Sequence, residues 1–141
     1  MPPAPTINAE SNEAVAAQIA TALQDWNERQ VGPRNTNRLT LTVRAEDGTL
    51  VAGLLGEMFW TFLYVSHLWV KDGYQRRGYG TALLDRAETM ARARPCHVSF
   101  LSTMEFQAQA FYEKRGYKPF GKLPGAPPPY GRTWLAKQLT P

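Results

Sequence analysis

Between Val70 and Ala82 the chain reads Lys71-Asp72-Gly73-Tyr74-Gln75-Arg76-Arg77-Gly78-Tyr79-Gly80-Thr81, a polar, glycine-rich stretch set between an apolar strand-like run and an amphipathic segment. Glycine loses more backbone entropy on ordering than any other residue, so two at the start of a helix need a reason. Where a strand ends and a helix begins, unpartnered N–H groups and the positive end of the helix dipole point at one place, which suits an anion. Gly78 and Gly80 remove side chains that would hold such a ligand off, Thr81 offers a hydroxyl, and Arg76 and Arg77 offer charge. A plain strand-to-helix turn is the alternative, since glycine often punctuates such junctions. Two nucleotide loops do not fit: no Gly-Lys-Ser/Thr follows, and the third glycine of a dinucleotide fingerprint would fall at Leu83.

Residues able to take a proton are scattered. Glu57, His67 and Glu105 lie near the ends of strand-like runs, and the sequence alone does not choose among them or a chain of waters. An imidazole titrates near neutrality, which suits a general base. A histidine in an apolar strand is nevertheless commonly a satisfied core group, and His67 alternates away from Leu68 and Val70. Cys96 is the single cysteine, so no internal disulfide or thiolate metal site is expected; a buried, inert thiol is.

The elements that must position these residues follow from periodicity. Ser11 is placed to cap a first helix whose Val15, Ile19, Leu23 and Trp26 recur at the spacing of one buried face. Residues 38–45 alternate as a half-buried strand, Glu46-Asp47-Gly48 makes a hairpin turn, and strands are predicted over 49–59 and 62–70. From Gly80 the period becomes helical, with Leu83, Leu84, Ala87 and Met90 on one face and Asp85, Arg86, Glu88 and Arg92 off it, ending before Pro95. A buried strand over 97–103, a short helix over 106–115 stopped by Gly116, and strands over 117–123 and 132–139 complete the chain. Hairpins first and crossovers later imply an α/β, mixed sheet covered by helices.

The 141 residues suffice for one domain spanning 1–141, with 1–10 as a loose or extended leader. No apolar run approaches the roughly 18 residues of a membrane helix, and Met1–Glu10 lacks a basic cluster followed by an apolar core, so a cytoplasmic protein is expected. Net charge is +4, with eleven arginines and five lysines, which suits nucleic acid or a small polyanion equally.

Two motifs together carry a resemblance. Leu68-Trp69-Val70 followed by Gln75-Arg76-Arg77-Gly78-Tyr79-Gly80, and about thirty residues later Phe111-Tyr112-Glu113-Lys114-Arg115-Gly116-Tyr117, resemble the two signatures of the GNAT superfamily of acyl-CoA-dependent N-acyltransferases. The likeness runs from Leu39 to Leu139 and departs from the family where 102–109 offers Glu105 and Gln107 in place of the usual Asn. It implies a GNAT fold: a central, mostly antiparallel sheet with one parallel crossover and splayed middle strands, with helices on both faces. It also implies acetyl-CoA as cofactor, with amides around Gln75, Arg76, Arg77, Gly78, Tyr79, Gly80 and Thr81 on the pyrophosphate and Leu68, Trp69 and Val70 along the pantetheine. By position it adds Gln107 and Lys114 to the cofactor set and makes Tyr112 the acid for the departing sulfur, where the residue pattern alone would read a core aromatic.

The resemblance thus implies an N-acetyltransferase moving acetyl to a primary amine by direct attack in a ternary complex. An acyl-CoA-binding sensor or interaction module without turnover is the alternative. A nucleic-acid binder ranks last, because the arginines gather at the glycine turn and loops rather than on one open face. The acceptor would be a small amine, an aminoglycoside-like antibiotic, a peptide N-terminus or a protein lysine, with Trp60 and Tyr130 as candidates to shape its pocket, and a homodimer could form through the last strands. Trp26, Trp69 and Trp134 read as core or interface aromatics.

Overall fold

The computed structural model describes residues 1–140, which form two compact units, 1–34 and 35 onward. The first unit holds α1 (Glu13–Val31). Its cap is Asn12, one residue later than the expected Ser11: the Asn12 Oδ1 accepts the Ala14 and Val15 N–H groups at 2.9 and 3.4 Å. No residue of α1 is buried, and Ile19, Leu23 and Trp26 stand exposed, against the expectation of a buried face. Residues 1–34 contain no other helix or strand, so the stripe finds no cover within its own unit.

The second unit is a six-stranded sheet with two helices. Strands β1 (Asn37–Arg44), β2 (Leu50–Phe59) and β3 (Phe62–Val70) form an antiparallel meander. The first turn is closed by Asp47, whose carboxylate accepts the Thr49 N–H at 2.9 Å. After β3 come α2 (Tyr79–Ala93) and β4 (Val98–Met104), the latter parallel to β3, which is the expected crossover. Helix α3 (Gln109–Lys114), β5 (Lys118–Leu123) and β6 (Arg132–Gln138) follow. The last strand inserts between β4 and β5, giving the order β1-β2-β3-β4-β6-β5.

The core lies on the α2 side of the sheet. Leu83, Leu84, Ala87 and Ala91 of α2 pack with Leu54, Leu63, Val65, Leu101, Leu135, Tyr112 and Tyr117. Each fully buried leucine there contributes about 2 kcal/mol. Glu88, expected on the solvent side of α2, is 2% exposed instead. Its burial is possible because Tyr117 and Lys137 reach its carboxylate.

Strand β3 is irregular on both of its edges. Leu55 pairs with His67 but Gly56 with Val65, so Ser66 is an extra, unpaired residue: a β-bulge. The bulge switches the inward face from Leu63 and Val65 to Leu68 and Val70, keeping apolar residues on the core side. On its other edge β3 pairs with β4 at only three positions, Phe62, Leu63 and Tyr64 with Val98, Ser99 and Phe100. Beyond Tyr64, where the bulge bends β3, the two strands part.

Candidate active site

The parting of β3 and β4 opens a cleft of about 450 Å³. One wall is β3 from Val65 to Val70, and the other is Ser102 and Thr103 of β4 with Phe106, Gln107, Ala108 and Tyr112; Gln75 closes one end. Because β3 has no strand partner here, its peptide groups on the cleft side need one. An extended ligand with its own amides satisfies that edge as an added strand would.

The glycine turn lies where β3 gives way to α2. Gly78 is the N-cap of α2, with φ 82° and no side-chain cap hydrogen bond, so the N–H groups of Tyr79, Gly80 and Thr81 lack intrahelical acceptors. A Cβ on Gly78 would meet open space, whereas one on Gly80 would meet Phe111 Cζ at 3.4 Å and Val70 Cγ2 at 4.0 Å. The two glycines therefore differ: Gly78 permits the left-handed turn beside an open approach, whereas Gly80 faces α3 and β3 with room for a Cβ at ordinary contact. Arg76 also takes a left-handed φ of 63°. The Arg77 guanidinium donates to Gly73 O at 3.2 Å and lies 4.8 Å over the Tyr74 ring, which folds it back along the turn. These uncapped amides, the open side of Gly78 and the unpaired β3 edge fit the pyrophosphate and pantetheine of coenzyme A.

Among the cleft-lining residues only His67 and Tyr112 titrate. Tyr112 is buried, between Phe111 and Tyr117 at ring distances of 5.2 and 6.0 Å, and burial pushes its phenol above the ordinary tyrosine range, keeping it neutral. Its hydroxyl has no hydrogen-bond partner among the described residues. His67 is exposed on the β3 wall, with Nδ1 3.0 Å from Ser66 Oγ.

The other expected residues lie elsewhere. Glu57 pairs across β2 with Arg38 and Tyr64 and does not line the cleft. Glu105 is tied to Lys122 at 2.7 Å, and that ammonium, with a backbone hydrogen bond from Gly131, holds its carboxyl below the usual range. Gln107 lines the cleft, with Oε1 accepting the Met104 N–H at 2.7 Å and the Thr103 hydroxyl at 3.3 Å. That capping turn delays α3 to Gln109, later than the expected start at Phe106. Lys114 is exposed in the last turn of α3, outside the lining. Trp69, not Trp60, reaches the cleft. Tyr130 meets it through Phe106, 5.0 Å away edge to face, which brings the proline-rich loop to the mouth.

Ser66, Ser102, Thr103 and Phe106 were not singled out by sequence reasoning. Only Ser66 left a signal: with His67 it makes two consecutive polar residues inside an alternating strand.

Residues 6–117 match the family model described as Acetyltransferase (GNAT) family. Over 95 residues the chain is 39% identical to blasticidin-S acetyltransferase of Streptomyces morookaense, covering 67% of this chain and 70% of that protein. It is 29% identical over 132 residues to an acetyltransferase of Agrobacterium fabrum, covering 91% and 96%. A crystal structure of an acetyltransferase from Bacillus cereus superposes with a TM-score of 0.88 at 24% identity, covering 94% of this chain and 97% of that one.

Proposed function

This chain belongs to the GNAT acetyltransferase family and takes its acetyl group from acetyl-CoA; on that premise we propose that it acetylates a primary amine of a small molecule, with His67 as base and Tyr112 as acid. The observation that carries the assignment is the pairing of one imidazole and one neutral phenol as the cleft's two titratable side chains. Opposite proton tasks need two groups whose environments differ in this way.

When bound, acetyl-CoA supplies a thioester carbonyl on which a neutral amine held in the same complex acts directly. The amides of residues 75–81 and the free β3 edge would hold it, with Leu68, Trp69 and Val70 along the arm. An aliphatic amine carries its proton at pH 7, with a pKa of roughly 10.4, so His67 takes that proton. Tyr112 holds a proton at Oη for the departing sulfur. Backbone N–H groups of the bulged strand would be the donors for the thioester carbonyl oxygen. A small-molecule acceptor is supported by the 39% identity to an enzyme named for blasticidin S.

Thiol release from acetyl-CoA, read with an amine panel that includes blasticidin S, tests this reading. Tyr112→Phe keeps the ring and its packing; kcat should fall about 100-fold or more with acetyl-CoA affinity nearly unchanged. An unchanged kcat would remove Tyr112 as the acid. Binding of acetyl-CoA without release for any amine would favour the sensor reading.

A further inference from the structure

We infer that Ser66 is a positioning residue that fixes the His67 imidazole with its proton on Nδ1, leaving the Nε2 lone pair as the base; the role rests on the proposed acetyl transfer.

The geometry starts with the bulge. Ser66 is the residue the β2–β3 ladder skips, so no residue stands opposite it on β2 and its side chain is free to turn back to that strand's backbone. Its hydroxyl donates to Leu55 O at 3.1 Å, and the same oxygen lies 3.0 Å from His67 Nδ1. A carbonyl oxygen cannot donate, so the one hydroxyl proton is committed to Leu55. Toward His67 the Ser66 oxygen then acts as acceptor, and only a protonated Nδ1 can donate to it.

The consequence is chemical. The neutral tautomer that an unconstrained histidine favours carries its proton on Nε2, which would leave Nδ1 as the acceptor, turned against Ser66. The Ser66 contact reverses this, so the nitrogen remote from the backbone is the one that accepts the amine's proton. The transfer balances simply: one proton leaves the acceptor ammonium, Nε2 gains it, and the ring becomes an imidazolium that still donates from Nδ1. A base with the wrong nitrogen protonated fails even when its position is intact.

The charged surroundings of His67 are sparse. On β2, Glu57 lies two residues beyond Leu55, the partner of His67, and Arg38 of β1 pairs with Glu57 in turn. Across the cleft stand the Tyr112 phenol and the uncharged Gln107, Ser102 and Thr103, with the uncharged Gln75 at one end. Among the described residues no carboxylate lines the cleft to orient the ring, so the neighbouring hydroxyl is the group that does so.

Long-range nitrogen–proton NMR on uniformly ¹⁵N-labelled protein reads the tautomer directly. The chain has 2 histidines, and a His97→Gln variant leaves His67 alone in the spectrum. About two pH units above the ordinary imidazole pKa of roughly 6.5, wild-type His67 should show a protonated Nδ1. Ser66→Ala should shift the ring toward Nε2–H and lower kcat/KM for the amine about 10-fold or more, with acetyl-CoA binding retained. Ser66→Thr, which keeps the hydroxyl, should restore both the tautomer and most of the activity. An Nε2–H ring in the wild type, an unchanged tautomer in Ser66→Ala, or a changed tautomer with unchanged kcat/KM would each overturn the role. The tautomer is read without acetyl-CoA or amine. If it comes out as expected while no amine supports thiol release, the proposed acetyl transfer fails, and the catalytic part of the Ser66 role fails with it.

Discussion

The Tyr117 hydroxyl donates to the Glu88 carboxylate at 3.0 Å, joining the strand-side end of the second signature to the middle of α2 across 29 residues of sequence. Ser99 of β4 lies 2.8 Å from the same hydroxyl, and the Lys137 ammonium of β6 reaches the other carboxylate oxygen at 2.6 Å. Arg92, one turn along α2, adds a longer contact at 3.5 Å. The network pins α2, β4 and β6 together directly behind Tyr112, whose ring packs edge-on against Tyr117. The residues that frame the cleft are thus held from behind by a buried polar cluster rather than by apolar contact alone.

Glu88→Ala should cost about 3 kcal/mol, because it leaves the Lys137 ammonium without its carboxylate in a low-dielectric setting and the Tyr117 hydroxyl with Ser99 alone. For a domain of this size that is a drop of roughly 10 °C in Tm, read by calorimetry or denaturant melts. A loss under about 0.5 kcal/mol would mean that water replaces the carboxylate and that the network does not hold the helix.

Burial raises the phenols of both Tyr112 and Tyr117 above the ordinary tyrosine value. The unfolded chain then gives up these protons first as pH rises. Their contribution to stability is complete below about pH 10, the unfolded tyrosine value, and is lost above it. Urea melts between pH 9 and 11 should show stability falling by up to roughly 1 kcal/mol per pH unit for each group, with Tyr112→Phe taking away its share of the slope. A slope that Tyr112→Phe leaves untouched would contradict the burial of that hydroxyl.

The two glycines at the start of α2 should respond oppositely to alanine. Gly78→Ala forces a side chain into a φ of 82° and should destabilise by about 1 kcal/mol while weakening acetyl-CoA binding several-fold. Gly80→Ala places its Cβ at 3.4 Å from Phe111, an ordinary contact, and replaces glycine inside a helix, so stability should hold or rise by up to about 1 kcal/mol. Isothermal titration with acetyl-CoA and paired melts separate the cases. Equal effects from the two variants would argue against the division of roles.

The sequence by itself determined the elements and the order of the chemistry along the chain. Period-two alternation marked the strands, period 3.6 marked α2, and the Gly78–Gly80 junction and the Phe111–Tyr117 segment could be read because such signals reside within a few consecutive residues. The tertiary structure decided what depends on residues far apart. The insertion of β6 between β4 and β5 is a choice of partner, invisible to local pattern. Glu88 looked like solvent-facing charge, since its burial depends on Tyr117 and Lys137 arriving from 29 and 49 residues away. The same holds for the proposed base. Glu57, His67 and Glu105 were equivalent as letters, and only the parting of β3 from β4 set His67 in the cleft, while the salt bridge to Lys122 tied Glu105 elsewhere. Periodicity records which face a residue must present; which groups then meet across that face is fixed by strand pairing and packing, and those are properties of the folded chain.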